Sequence, residues 1–438
     1  VDITGVWGIT FWVVLFNVLV VMAIEDCGVQ SAASVIRNPQ SAIRNRLVRR
    51  LALVVAAMVL PPLLYAAFVF IREAHANERA ISVLMVQPNI DPWQKFDQSA
   101  VALAKATALT DAALAQQKPD LIVWPETAVP YILSQDNVAR EFVSRAVSRW
   151  NTPLLTGTLD ISHPPPTQAN TQARQPLRES EPRKEQLFNA AVLLTPEPKQ
   201  ADQGLTVNSA EQKQWTTDNG LRTTSRFNVK TSEMYHKRSL FPFAERVPFQ
   251  DRFPALSRLI IDVGGRGSFS LGEKPTVFSF RTRQGAPVTV AAPICYEQLY
   301  PAKMAEFVRQ GAELIALITN EGWWSQSHGA YQLAAFTRLR AIETRRTIAR
   351  TANTGLTCLI DPLGRSYDQA PWWSEQTVLG KARLSNELSL YVRYPDYFPK
   401  ACMWLTLALA LAIIAQKARQ ALLWRKLQPG HWSLANNR

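Results

Sequence analysis

Hydrophobic residues are distributed along the chain on two length scales. Three long apolar runs lie near its ends: "GVWGITFWVVLFNVLVVMAI" (5–24), "LALVVAAMVLPPLLYAAFVFI" (51–71) and "ACMWLTLALALAIIA" (401–415). A helix of about 20 apolar residues crosses a ~30 Å hydrocarbon core. The first two runs meet that length, and the third meets it if tilted or extended at its ends. They predict three membrane helices, with Pro61–Pro62 as a kink in the second. A buried core helix is the alternative for each. The first run has no basic leader and no small-residue cleavage site, unlike a signal peptide.

Between the runs the periods shorten. "AISVLMVQPN" (80–89), "PDLIVWPET" (119–127) and "TPLLTGTL" (152–159) predict strands, separated by helices at 99–117 and 137–150. "LFNAAVLLT" (187–195) and "TSEMYHKRSL" (231–240) predict a strand pair. "PVTVAAPICYE" (287–297), "AELIALITNEGWW" (312–324) and 347–365 predict further strands, with helices at 302–310 and 331–346. Repeated strand–helix units predict an α/β domain of layered sheets and helices. Two polar stretches, about 162–186 and 199–230, interrupt the pattern and are expected to be mobile loops.

Charge orients these parts. The formal net charge is +13, with 48 Lys and Arg against 35 Asp and Glu. Arg37, Arg44, Arg46, Arg49 and Arg50 lie between the first two runs, and Lys417, Arg419, Arg425 and Lys426 follow the third. Basic residues next to spans stay in the cytoplasm. The expected domains are therefore 1–72, membrane helices with a cytoplasmic basic loop; 73–395, an extracytoplasmic domain; and 396–438, a membrane helix and cytoplasmic tail. Much of the excess positive charge thus sets topology, so no nucleic-acid partner is expected. The four cysteines, Cys27, Cys295, Cys358 and Cys402, show no metal-ligand spacing and make no disulfide framework. No metal or cofactor is expected.

Three polar residues stand just after strands: Glu126 after "DLIVWP", Lys237 in "MYHKRSL" and Cys295 after "VTVAAPI". Taken singly, each reads as ordinary: a solvated glutamate, a solvated lysine, a small core cysteine. Taken together they sit at carboxyl ends of strands, where open α/β sheets place their sites. A thiol is mostly protonated at neutral pH and needs a base or a positive neighbour. A partly desolvated carboxylate can take its proton. An ammonium stabilises both the thiolate and the oxyanion formed when a carbonyl is attacked. The three types therefore supply base, oxyanion partner and nucleophile for a thioester route.

"DLIVWPET", "YHKRSLFPFAERVP" and "PICYEQLYP", in this order, resemble the carbon–nitrogen hydrolase (nitrilase) superfamily. That resemblance implies an α-β-β-α sandwich and a Glu–Lys–Cys triad of Glu126, Lys237 and Cys295. The flanking membrane runs, "TNEGWWSQSHGAYQ" (319–332), "RLRAIETRRTIARTANTG" (338–355) and a second glutamate, Glu245, are similar to the membrane branch that completes bacterial lipoproteins. The likeness covers roughly 1–424, is strongest in 80–130 and 233–365, and is absent from the two insertions. "NEGWW" departs from the family's commoner ND-aromatic wording. By resemblance, Glu245 orients Lys237 or helps proton transfer, and Tyr296 and Glu297 support the nucleophile. Trp323 contacts substrate or packs its loop; Phe96 lies on an arm near the lipid entrance or packs.

The implied reaction is ping-pong acyl transfer at the periplasmic face of the inner membrane by a multi-pass protein. The donor is a phospholipid, phosphatidylethanolamine with its sn-1 chain, and the acceptor is the amino-terminal amine of a diacylglyceryl-cysteine apolipoprotein. A membrane-tethered amidase with water as acceptor is the first alternative, since the same triad serves it. A catalytically silent membrane binding protein is the second. The family's fold has eight membrane helices, so further spans are expected ahead of Val1.

Overall fold

The structure, a computed structural model, describes residues 1–33, 40–74, 79–162, 185–197, 222–224, 229–261 and 268–427. Most of the two polar insertions, 163–184, 198–221 and 225–228, lies outside these residues, as does Arg37. The chain runs α1 (Val6–Ala33), α2 (Gln40–Ala74), β1 (Ala80–Gln87), α3 (Ser99–Leu114), β2 (Leu121–Val123), α4 (Asn137–Trp150), β3 (Leu154–Ser162), β4 (Gln186–Pro196), β5 (Arg222–Thr224), β6 (Val229–Thr231) and β7 (Tyr235–His236). It continues through β8 (Val277–Arg281), β9 (Pro287–Ala291), α5 (Pro301–Arg309), β10 (Leu314–Thr319), α6 (His328–Thr344), β11 (Ile348–Ala352), β12 (Cys358–Ile360), β13 (Ser366–Tyr367), β14 (Gln376–Arg383), α7 (Leu390–Arg393) and α8 (Tyr397–Leu427).

Two compact units divide the chain. One holds Val1, Ile3–Met58 and Tyr394–Arg438. Within it the Trp12 indole donates to the Met58 carbonyl at 2.9 Å, and Phe11 meets Phe398 edge-on at 5.3 Å. Among the described residues, Val48–Glu73 and Tyr397–Trp424 are long and apolar enough to cross a membrane, with mean hydropathies of 2.4 and 1.8. Val6–Met22 is a shorter apolar helix. Helix α2 continues through Pro61 and Pro62.

The other unit, Asp2 with Val59–Arg393, is a four-layer sandwich. Its first sheet has the order β14-β1-β2-β3-β4-β6-β5, with β7 also on β4; its second has the order β13-β12-β11-β10-β9-β8. Strands β1, β2 and β3 are parallel, as are β9, β10 and β11. Val83, Met85 and Val123 of the first sheet face Val290, Ala316 and Ile318 of the second. Leu84, Ile122 and Trp124 turn the opposite way, onto Leu103 of α3 and Val143 and Val147 of α4. Ile315, Leu317 and Ile348 pack likewise under Met304 of α5 and Ala341 of α6. Covering both faces explains why β10, "LIALIT", is apolar and buried at every position.

Local chemistry sets the boundaries. Asp136 caps α4 by accepting from the Ala139 N–H at 2.9 Å, and Asn151 ends it with a left-handed φ of 50°. The expected strand at 231–240 is shorter than its pattern, leaving only β7 before the chain turns at Lys237. Strands β8 and β14, which sequence periodicity missed, close an edge of each sheet. The second insertion contributes β5 and β6, because Val229 and Thr231 bury against the edge of β4.

A buried ion pair fastens the loops above the second sheet. Arg350 on β11 and Glu321, both with 0% side-chain exposure, pair through two contacts, Nη2 to Oε1 and Nη1 to Oε2. The same guanidinium donates to the Leu356 carbonyl, and Glu321 accepts from the Leu356 N–H at 3.1 Å. This joins the turn Glu321–Trp324 to the loop after β11. Removing one partner of a buried pair leaves an uncompensated charge, at a cost of roughly 3–5 kcal/mol. Arg350→Met is therefore expected to lower the melting temperature sharply, and Arg350→Met with Glu321→Gln to recover part of the loss. An unchanged melting curve for the single variant would show that the pair does not hold these loops.

Candidate active site

Each polar residue singled out in the sequence is brought to the carboxyl ends of the strands by a distinct local device. Beyond β2 the chain reaches Trp124, buried with its indole donating to Thr110 Oγ1 at 2.9 Å, then Pro125 and Glu126. Thr127 follows with a φ of 48°. Gly157 on β3 crosses this turn so closely that a Cβ there would lie 2.4 Å from the Thr127 nitrogen and 2.8 Å from Glu126 Cα. Only glycine fits. Lys237 follows β7, and its backbone N–H donates to the Asn189 carbonyl at 2.8 Å.

Cys295 opens the 3-10 turn Cys295–Leu299 after β9, with a φ of 48°. A non-glycine residue in this region is uncommon and is held there by its surroundings. The holder is Glu297, 1% exposed. Its carboxylate accepts from the Ile294 N–H at 2.7 Å, the Arg238 N–H at 2.7 Å and the Tyr235 hydroxyl at 2.6 Å. One side chain therefore ties the cysteine turn to the segment that carries Lys237. Burial pushes the Glu297 carboxyl up, against these three donors.

At the centre lies one ammonium between two carboxylates. Lys237 Nζ donates to Glu126 Oε1 at 3.1 Å and to Glu245 Oε1 at 2.8 Å. Asn189 Nδ2 donates to the same two oxygens at 2.8 and 3.1 Å, and the Phe241 N–H holds Glu245 Oε2 at 2.7 Å. Burial alone would lower the Lys237 ammonium; Glu126, Glu245 and then Cys295 outweigh it and raise it above the usual lysine range. The Cys295 thiol is pushed up to about 12, first by burial and then by the Glu126 charge, while Lys237 and the Thr319 hydroxyl favour its thiolate. Thr319 is fully buried, with its hydroxyl beside the Cys295 thiol. It ends β10 next to Ile318, which pairs with Ile294 beside the cysteine.

These groups open into a pocket of about 280 Å³. Glu126, Lys237, Glu245, Cys295 and Asn189 form its polar wall. Tyr296, Trp323 and Phe96 line it too, whereas Glu297 lies behind the cysteine turn and does not. Around them runs an aromatic collar: Phe241 meets Tyr296 at 4.9 Å and Trp324 at 5.5 Å, and Trp323 meets Trp93 at 5.2 Å, all edge-on. Phe96 also packs beside Leu159, Leu240 and Phe269. Sequence reasoning missed Asn189, Thr319, Phe241, Trp324 and Trp93. The asparagine's signal was one polar residue inside the apolar strand "LFNAAVLLT"; the aromatics belonged to motifs already singled out for other residues. Among the described residues no group of three or more His, Cys, Asp or Glu is gathered as for a metal ion.

Comparison with known proteins agrees with this architecture. The carbon–nitrogen hydrolase profile matches residues 82–390. The chain is 35% identical over 422 residues to an apolipoprotein N-acyltransferase of Chlorobaculum tepidum, covering 95% of this chain and 70% of that protein. It is 27% identical over 437 residues to apolipoprotein N-acyltransferase 2 of Treponema denticola, covering 96% of this chain and 70% of that one. A crystal structure of an amidase from Nesterenkonia sp. aligns at 14% identity and a TM-score of 0.43, over 75% of this chain and 98% of the amidase. With the profile spanning most of its length and a relative at 35% identity aligned along nearly all of it, the chain belongs to the carbon–nitrogen hydrolase family and, within it, to the apolipoprotein N-acyltransferases.

Proposed function

We propose that this protein N-acylates lipoproteins at a membrane surface, with Cys295 carrying the acyl chain as a thioester between a phospholipid and the amino-terminal amine of diacylglyceryl-cysteine. The observation that carries the reading is the pocket in which Cys295, Lys237 and Glu126 meet inside an aromatic collar. In a chain of this family, that combination suits an apolar acyl group better than a small soluble amide.

The mechanism follows from the charges. The resting thiol is protonated, so Glu126 takes its proton as sulfur attacks the ester carbonyl. The oxyanion forms beside the Lys237 ammonium, which its two carboxylates keep charged. Collapse breaks the carbon–oxygen bond, and the departing glycerol oxygen takes the proton from Glu126, leaving a lysophospholipid. The acceptor amine then attacks the thioester and gives a proton to Glu126. The second collapse breaks the carbon–sulfur bond, and the thiolate recovers that proton. Glu245 keeps Lys237 in place through both halves, and Tyr296, Trp323 and Phe96 face the acyl chain.

Phosphatidylethanolamine is the donor we favour. We assign the catalytic unit to the periplasmic side of the inner membrane. Arg49 and Arg50 near the start of one apolar segment, and Lys417 and Arg419 late in α8, would then face the cytoplasm.

Phosphatidylethanolamine labelled in one acyl chain is expected to leave a hydroxylamine-labile acyl group on Cys295. Cys295→Ala should abolish transfer, and Cys358→Ala should retain near-parental turnover. Full activity in membrane-inserted Cys295→Ala protein would sink the proposal. Thr319→Val removes a group that favours the thiolate, so alkylation of Cys295 should require higher pH, with Thr319→Ser close to the parent. An unmoved profile in the valine variant would free Thr319 of that role. Asn189→Asp places a third carboxylate against Glu126 and Glu245 and should reduce acyl transfer about 100-fold, the scale of a lost acid–base contribution; a change under threefold would remove Asn189 from the network.

A further inference from the structure

The pocket holds two carboxylates against one ammonium, and a second lysine lies just behind it. Lys95, in the loop between β1 and α3, is 1% exposed. Its ammonium donates to the Glu126 carbonyl at 2.7 Å and to Thr127 Oγ1 at 3.0 Å. Both acceptors are neutral. Among the described residues no carboxylate takes a hydrogen bond from it, and Glu126 is the charged group that acts on it through space. Lysine is rarely buried without a paired anion, because an ammonium is strongly hydrated in water. Lys95 does not line the pocket, so it touches neither acyl donor nor acceptor.

We propose that Lys95 is a positioning residue for the base: its ammonium pins the Glu126–Thr127 turn and offsets the second carboxylate, so that Glu126 stays aimed at Cys295. The turn needs a clamp. Thr127 holds a left-handed φ of 48°, and the Gly157 backbone lies close against the turn. Lys95 bonds both residues of that turn at once. The charges need a fourth member as well. Glu126 and Glu245 share Lys237, so the cluster carries one excess negative charge in a poorly solvated place. Lys95 cancels it. Burial pulls the Lys95 ammonium down to about 7, and Glu126 opposes that fall. Removing Lys95 takes a cation from a carboxylate's surroundings, and a carboxylate then keeps its proton to higher pH. The acid limb of any reaction that uses Glu126 as base must move to higher pH.

This inference rests on Glu126 being the base, and the test separates the two. Alkylation of Cys295 by iodoacetamide, in which sulfur displaces iodide, reports on the thiol and its base without any lipid. The pH dependence of that rate, followed at Cys295 by peptide mass analysis, is measured in the full protein and in its Lys95→Met, Lys95→Gln and Glu126→Gln variants. Lys95→Met is expected to slow alkylation about tenfold at neutral pH and to move the acid limb up by about one unit, with Lys95→Gln intermediate because its amide can replace one donor. In acyl transfer kcat should fall while KM for the phospholipid stays within about threefold, as expected of a residue acting through the base. Folded Lys95→Met protein with the parental rate and profile would overturn the proposal. If Lys95→Met fails to fold, Lys95→Gln decides by the same comparison. A parental profile in Glu126→Gln would instead overturn the assignment of the base, and the role of Lys95 with it.

Discussion

The sharing of Lys237 by Glu126 and Glu245 constrains the rest of the catalytic unit. Two neighbouring carboxylates repel each other, and a buried ammonium is costly unless paired. Bringing the three within 3.1 Å needs donors and packing from several elements. Asn189 on β4 bridges the carboxylates, the Phe241 N–H fixes Glu245, and Lys95 reaches the turn of Glu126 from the first βα loop. The second sheet presents Cys295 to this group. A sandwich with parallel strands in both sheets does this because the polar ends of its strands point to one rim while its faces remain apolar.

Four glutamates divide the work there by environment. Glu126 and Glu245 face the pocket and share one cation. Glu297 accepts two backbone N–H groups and a tyrosine hydroxyl, so its charge is spent on holding the left-handed turn of Cys295. Glu321 is committed to Arg350 and anchors the turn that presents Trp323 and Trp324. A carboxylate already satisfied by fixed donors is a poor base, whereas one whose partner is a shared lysine keeps a lone pair for the thiol proton. On this ground the proposed reaction takes Glu126 as its base.

Much of the fold was legible because burial on two faces leaves long apolar strands and one-sided helices. α4 appeared at its observed boundaries, and β10 occupies the first half of the stretch 312–324 read as a strand running into a loop. β14 stayed hidden: "QTVLGKAR" alternates only weakly, and its place is fixed by pairing with β1 some 300 residues earlier, a contact no local pattern encodes. The three chemical residues were legible as types after strands, joined by motif likeness. Lys95 and Thr319 were not. A lysine in a polar loop reads as solvated, and its burial arises only when β1, β2 and β3 bring the loop, the Glu126 turn and Gly157 together.

On the proposed reaction, the pocket that holds Cys295 also suits an amine as acceptor. A free α-amino group has a pKa of about 7.7–8.0 in water and is largely protonated near neutrality. Moved into an aromatic-lined pocket it loses solvation, which favours its neutral, nucleophilic form, and the carboxylate of Glu126 stands where it can take the proton. Water gains nothing comparable from that environment, and the collar restricts its supply at the thioester. On that reading, a chain of the carbon–nitrogen hydrolase family forms such a bond by setting Glu126, Lys237 and Cys295 inside a ring of aromatic side chains.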